Sequence, residues 1–187
     1  MDSNNIFTLN KIIKYLKNID ADIISLQEGL YEQFAILKHN LKMDGVFAAN
    51  INSPTLRYGI ATFSKYEILK NEHVFLKSKK AQRGFLYTNI FSGKYCVDVI
   101  NTHLGLDKDE RKEQISEIMD YINLLDKSKI ICGDFNEKNI FINIFNDSSI
   151  CTDYQNIATF ENSNASIDYI LLDKCLEIEK YYIDKNN

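Results

Sequence analysis

Gln27-Glu28, Asn101-Thr102-His103, Gly133-Asp134-Phe135-Asn136 and Ile167-Asp168-Tyr169 are short polar strings, each set against an apolar, strand-like run. Together they supply a carboxylate, an imidazole, a carboxylate with an amide, and a further carboxylate in buried-looking surroundings. These are the parts that metal-assisted hydrolysis of a phosphoester needs. No string is decisive alone, and the combination carries the reading.

The local sequence suggests how each group is presented. Glu28 follows a strand directly, so the chain is expected to leave the sheet there with the carboxylate pointing into a cleft. Gly133 permits a sharp turn, and alternation then places Asp134 and Asn136 on one side with Phe135 packed inward. His103 ends the apolar run 97–102 and reaches the same edge only if its strand is suitably aligned with its neighbours. Asp168 sits among Ile167, Tyr169, Ile170, Leu171 and Leu172, where an ionised carboxylate is costly unless it has a partner. His39 and His73 lack such a setting and read as structural. Asp107, Asp109 and Glu110 are explained as helix-start residues favoured by the macrodipole.

The elements that must hold these groups can be read from periodicity. Leu9, Ile12, Ile13 and Leu16 recur at helical spacing, and 22–26 reads as a short buried strand. Leu30, Phe34, Leu37 and Leu41 repeat the helical stripe, followed by strands at 46–49, 58–63 and 73–77. Residues 84–91 and 95–100 flank Ser92-Gly93-Lys94 and predict a β-hairpin. A long helix starts at Asp107 as N-cap, with Glu110 three positions later and an apolar face through Ile115, Ile118, Met119, Ile122 and Leu125. Strands are expected at 129–132 and 166–172, and a last one at 177–183. Helices interspersed with antiparallel hairpins fit a layered α/β sandwich better than a doubly wound parallel sheet. With no internal repeat or linker, 1–187 reads as a single domain.

Composition narrows the function. With 45% hydrophobic and 26% charged positions, 187 residues suffice for one domain with a genuine core. A net charge of −4 argues against an indiscriminate nucleic-acid binder, which needs many Lys and Arg to displace counterions. A local basic strip remains compatible, and Lys77, Lys79, Lys80 and Arg83 form the concentrated positive stretch. Such a run is usually a solvated face; beside a cleft it would attract phosphate. Cys96, Cys132, Cys151 and Cys175 show no zinc-ligand spacing and read as reduced thiols, so zinc is not expected. No signal peptide and no apolar run near the ~20 residues of a membrane span are evident, which gives a cytoplasmic expectation. Oligomeric state is not legible.

In this order along the chain, the four strings resemble the endonuclease/exonuclease/phosphatase superfamily of Mg²⁺-dependent phosphodiesterases, which includes DNase I-like nucleases, abasic-site endonucleases, sphingomyelinases and inositol polyphosphate 5-phosphatases. The resemblance implies a β-sandwich of two mixed sheets flanked by helices, with the active site where loops gather at one end. It implies that Glu28 holds Mg²⁺, with Mn²⁺ as a substitute, and that Asp134 positions or deprotonates the attacking water. Asn136 and His103 would contact the phosphate, and Arg83 would help bind substrate. Asp168 would orient a histidine of a Ser-Asp-His motif, but no such motif appears before Asn187. The family's strand ending in Asn, ahead of the first helix, is not seen either. The expectation is therefore a sandwich without its first and last core strands. Arg111 and Gln114 match positions the family tends to fill, and helix-surface duty explains them equally well. The implied partner is a phosphate ester: nucleic acid, phospholipid or a small phosphodiester. The alternative is a catalytically silent binding module that keeps the sandwich.

Overall fold

In the computed structural model, which describes residues 3–152, 157–160 and 164–184, the predicted helical stripes become the outer cover of a small sheet. Leu9 and Ile13 face inward from α1 (Ser3–Ile19), and Phe34 and Leu37 from α2 (Tyr31–Leu41). They close over Ile24, Ala61 and Phe63 of β1 (Ile23–Leu30) and β3 (Arg57–Ser64). With β2 (Asp44–Asn52) these strands form a three-stranded sheet in the order β1-β3-β2, antiparallel throughout.

The second sheet has six strands in the order β4-β5-β6-β7-β9-β8, comprising β4 (Glu67–Leu76), β5 (Arg83–Phe91), β6 (Cys96–His103), β7 (Ser128–Asp134), β8 (Phe145–Asp147) and β9 (Asp168–Asp173). The hairpin foreseen around Ser92-Gly93-Lys94 joins β5 to β6. β6 and β7 run parallel because α3 (Lys108–Ile122) carries the chain back between them, as a parallel pair requires. Asp107 caps α3 by accepting from the backbone N–H groups of Asp109 and Glu110. Ile118 and Ile122 pack from α3 onto Phe85, Tyr87, Ile100 and Ile131. The protein is thus an α/β sandwich of two sheets with helices outside.

The layer between the sheets is different in kind. Thr62, Thr88 and Asn101 are fully buried there beside Ala48, Ile60 and Leu86. The Asn101 amide nitrogen donates from the large sheet to the carbonyls of Ala61 (2.9 Å) and Leu26 (3.3 Å) in the small one, and its oxygen accepts from Gln27 Nε2 at 2.7 Å. A buried amide with its hydrogen bonds satisfied holds the two sheets in one relative placement.

Two local expectations are corrected. β1 does not end before Glu28 but continues to Leu30. No strand forms over 177–183: Tyr181, Tyr182 and Ile183 instead border a cavity between the sheets beside Ile23 and Cys132. Tyr181 and Ile183 are partly buried there and Tyr182 and Asp184 exposed, without a strand forming among the described residues. The short elements β8 and α4 (Ser148–Cys151) had no periodic signal long enough to announce them.

Candidate active site

Glu28 owes its position to a break in register. The pairing of β1 with β3 shifts between Leu26 and Gly29, so Gln27 and Glu28 occupy a bulge, and Glu28 takes a left-handed φ of 57°. That conformation costs a non-glycine residue ~1–2 kcal/mol, and bulges commonly re-aim side chains beside functional sites. Gln27 turns to Asn101, whereas the Glu28 carboxylate is exposed and accepts a hydrogen bond from the Tyr58 hydroxyl. Burial and this bond push the Tyr58 phenol up to about 12.

Strand register supplies the next three groups. In the parallel pairing of β6 with β7, His103 lies opposite Asp134, and in the antiparallel pairing of β7 with β9, Asp134 lies opposite Asp168. Three neighbouring strands therefore bring His103, Asp134 and Asp168 abreast at one sheet edge. Gly133 is needed for this: its φ is 144°, and a Cβ would strike the Thr102 carbonyl of β6. Asn136 lies past the end of β7 with a φ of 50°, so its place is set by a turn and not by strand alternation. Its backbone N–H donates to Asp134 Oδ1 at 2.8 Å, an Asx-type turn. One hydrogen of its side-chain amide goes to the Leu104 carbonyl at 2.9 Å. Phe135 packs inward against Tyr169, as alternation predicted.

Arg83, the first residue of β5, places Nη1 3.1 Å from His103 Nδ1. A guanidinium can only donate, so Nδ1 accepts and the imidazole proton resides on Nε2, which sits 3.7 Å from Asp134 Oδ2. Burial, then the Arg83 charge, lower His103 to about 4 against the opposing pull of Glu28 and Asp168. The ring is therefore neutral near pH 7, and its contact with Asp134 is not an ion pair. Asp134 is raised by burial and by Glu28, with the Asn136 N–H and Arg83 acting the other way. Asp168 is raised by burial and by Asp134, and eased by the Thr159 hydroxyl and His103.

Among the described residues no group of three or more His, Cys, Asp or Glu side chains could hold a metal ion unaided. The donor set nevertheless suits Mg²⁺, which is commonly held by one or two carboxylates, with waters and substrate oxygens completing its octahedron. Glu28 is exposed and available, and its charge is already felt at Asp134. A cation there would offset the repulsion that raises Asp134.

The remaining candidates separate cleanly. Arg111 and Gln114 are not surface residues: Arg111 is 8% exposed and grips Glu137 Oε2 through Nη2 (2.6 Å) and Nε (3.1 Å), and Gln114 is fully buried. His73 is structural, its Nε2 lying 2.9 Å from Asn50 Oδ1. Lys77 pairs with Glu113 and Glu117, and Lys79 pairs with Asp107 at 2.6 Å, so part of the basic run is neutralised. Sequence reasoning missed Tyr58 and Thr159. Tyr58 touches Glu28 only because the β1–β3 register sets it opposite Leu30, and Thr159 comes from an irregular segment.

A family model, that of the Endonuclease/Exonuclease/phosphatase family, matches residues 4–184. The chain belongs to this family, whose members are generally metal-dependent phosphoester hydrolases. Its fold is similar to that of a humanized TDP2 of D. rerio, with a TM-score of 0.76 at 17% identity, over 95% of this chain and 81% of that one. It is also similar to a family protein from Bacteroides vulgatus (TM-score 0.73, 17% identity, 89% of this chain and 78% of that one). A mannosyl-6-phosphatase of Bacteroides thetaiotaomicron gives a TM-score of 0.73 at 17% identity, over 89% of this chain and 76% of that one. No curated protein matches. No helix among the described residues is long and apolar enough to cross a membrane.

Proposed function

We propose that this chain hydrolyses phosphoesters by attack of an activated water, with Mg²⁺, or Mn²⁺ in its place, as cofactor. The observation that carries the reading is the convergence of Glu28, Arg83, His103, Asp134, Asn136 and Asp168 from β1, β5, β6, the β7 end and β9 at one end of the sandwich, each under the electrostatic or hydrogen-bonding influence of another. Glu28 would hold the metal, which when bound supplies Lewis-acid polarisation of the phosphoryl oxygens.

The protein groups divide the rest of the work. Asp134 orients the attacking water and takes its proton, a task favoured by the raised basicity that burial and Glu28 give it. Asn136 offers its second amide hydrogen to a phosphoryl oxygen, and the Arg83 guanidinium stabilises charge developing there. His103 contributes as a neutral N–H donor through Nε2, since Nδ1 is committed to Arg83. Asp168, opposite Asp134 in the β7–β9 register, would add a second carboxylate to this edge. Because a mannosyl-6-phosphatase is similar in fold, phosphomonoesters are worth testing beside phosphodiesters.

The test is hydrolysis of bis-p-nitrophenyl phosphate and p-nitrophenyl phosphate with excess Mg²⁺, Mn²⁺ or chelator. Turnover that appears with metal and vanishes with chelator supports the reading. Absence of turnover of either ester by the folded chain with both metals contradicts it, and favours a binding module on the same sandwich.

A further inference from the structure

Beyond Asp173 the chain turns, with the Leu176 N–H donating to the Asp173 carbonyl at 2.8 Å, and residues 174–184 form neither helix nor strand. They lie on the side of the sandwich where the two sheets differ in width. β1 is an edge of the small sheet and packs against β6 and β7, whereas the large sheet goes on from β7 to β9 and β8. Alternation sends Tyr169 and Leu171 of β9 to the core beneath α3, and Asp168 and Ile170 to the opposite face. The step in width leaves a cavity of about 460 Å³, bordered by Ile23 and Gln27 of β1, Cys132 of β7, and Asp168 and Ile170 of β9. Tyr181, Tyr182 and Ile183 border the same cavity from outside both sheets.

This segment is held at two points. Tyr15 of α1 donates its hydroxyl to Asp184 Oδ2 at 2.9 Å, which ties the segment's end to the helix layer over the small sheet, while its root is β9 of the large one. Tyr181 is partly buried, and burial first, then Asp147, Asp168 and Tyr169, raise its phenol, which is therefore neutral near pH 7 and within electrostatic reach of Asp168. Burial also pushes the Cys132 thiol up to about 11, with Ser25 acting the other way, so the cavity is a poorly hydrated space. Asp168 has one flank on the reaction edge, opposite Asp134, and the other on this cavity. A segment outside both sheets opens at lower cost than a paired strand.

We infer that residues 177–184 are a strap over the open side of the sandwich, that Tyr181 is a positioning residue which keeps the inner flank of Asp168 dry and its carboxylate fixed at the reaction edge, and that the Tyr15–Asp184 hydrogen bond is the latch. The work assigned to Asp168 rests on the proposed hydrolase reading; the strap itself does not. Opening the latch admits water to the cavity, which relieves the burial of Asp168 and frees its orientation. The geometry of the reaction edge thereby depends on a contact made at α1, outside both sheets.

Two of the three readouts of the test need no metal. Alkylation of the full chain by iodoacetamide, resolved by peptide mass spectrometry, gives the reactivity of Cys132 relative to exposed Cys151. Tyr15→Phe should raise it about fivefold, as loss of one hydrogen bond shifts an opening equilibrium, and Tyr181→Ala should raise it further. Tyr181→Phe, which keeps a ring over the cavity, should stay near the natural rate, and Cys96, which does not border the cavity, should keep its rate in all three variants. A carbon-13 carboxyl titration should place Asp168, raised by burial in the natural chain, closer to the ordinary carboxylate range in Tyr181→Ala and leave it in place in Tyr181→Phe; Asp134, Thr159 and His103, which also act on Asp168, are the same in both. In the p-nitrophenyl ester assay with Mg²⁺, Tyr181→Ala should lower kcat about tenfold with KM unchanged, and Tyr181→Phe should restore it. Cys132 reactivity left unchanged by Tyr15→Phe and Tyr181→Ala, or raised only together with that of Cys96, overturns the strap. An Asp168 titration or a kcat indifferent to Tyr181→Ala overturns the positioning role. If the natural chain turns over neither ester while the alkylation and titration results hold, the hydrolase reading fails and the strap stands.

Discussion

The outer faces of the two sheets and the seam between them are built on opposite principles. Outside, Ile118, Ile122, Phe85 and Ile131 on the large sheet, and Leu9, Phe34, Leu37 and Phe63 on the small one, are held by contacts that have magnitude but little direction. In the seam, Asn101 and Gln27 connect the sheets by hydrogen bonds that require one geometry, and next to them lie His103 and Glu28. The apolar layers therefore govern whether the chain folds, and the seam governs where the Glu28 carboxylate sits relative to Asp134.

Substitutions in the two regions should consequently fail differently. Asp134→Ala has the largest expected effect: loss of the proton acceptor should lower kcat by ~10²–10⁴-fold in the p-nitrophenyl ester assay, with the melting temperature not reduced. Ile122→Ala should cost ~2–5 kcal/mol in urea unfolding, as deletion of a fully buried side chain does, while kcat of the folded fraction is unchanged. Asn101→Leu should cost ~2–3 kcal/mol, since the Ala61 and Leu26 carbonyls and Gln27 Nε2 lose their partner inside the protein. Unlike Ile122→Ala, it should also lower kcat with intact fold, because Glu28 loses the tie that follows from Gln27. A kcat left untouched by Asn101→Leu would erase the distinction between seam and outer layers.

Smaller effects come from titration. The folded-state pKa of His103 lies below its ordinary 6.5, at about 4, so between those values the unfolded chain binds more protons than the native one. Its contribution to stability is full above pH 6.5 and is lost as pH falls from 6.5 to about 4. Asp134 and Asp168 have the opposite sign: their raised native pKa makes folding more favourable as acid neutralises them. Urea midpoints across this range should therefore fall less steeply with acidification in His103→Gln than in the natural chain. The smallest effect is expected for Asp168→Asn without metal, a rise of ~2 °C in melting temperature, because a half-buried carboxylate paired opposite Asp134 is removed. A fall in melting temperature would show that Asp168 is held by more than Thr159 and His103.

Much of this architecture could be read from the chain because its signals are local. The β5–β6 hairpin, the Asp107 cap and the apolar stripes of α1, α2 and α3 each depend on residues a few positions apart. The family resemblance was legible for the same reason: its strings are contiguous. What could not be read depends on register between distant strands. The bulge at Glu28 arises from how β1 meets β3, and the neutral tautomer of His103 follows from Arg83 on the adjacent strand. Asn101 looked like a neighbour of His103 and proves to be a tie between sheets. The run 177–183 was expected as a strand and forms none, although Tyr181 to Ile183 border a cavity beside Ile23 of β1 and Cys132 of β7.

The most direct test of the central claim is Mg²⁺-dependent hydrolysis of bis-p-nitrophenyl phosphate by the natural chain and by Glu28→Gln, with folding of both checked by circular dichroism. Saturable activation by Mg²⁺ is expected in the natural chain, and in Glu28→Gln a loss of rate on the order of 10²-fold or more that excess Mg²⁺ restores only in part. Equal rates and equal Mg²⁺ dependence in the two proteins would contradict the assignment of Glu28, and with it the mechanism built around that residue.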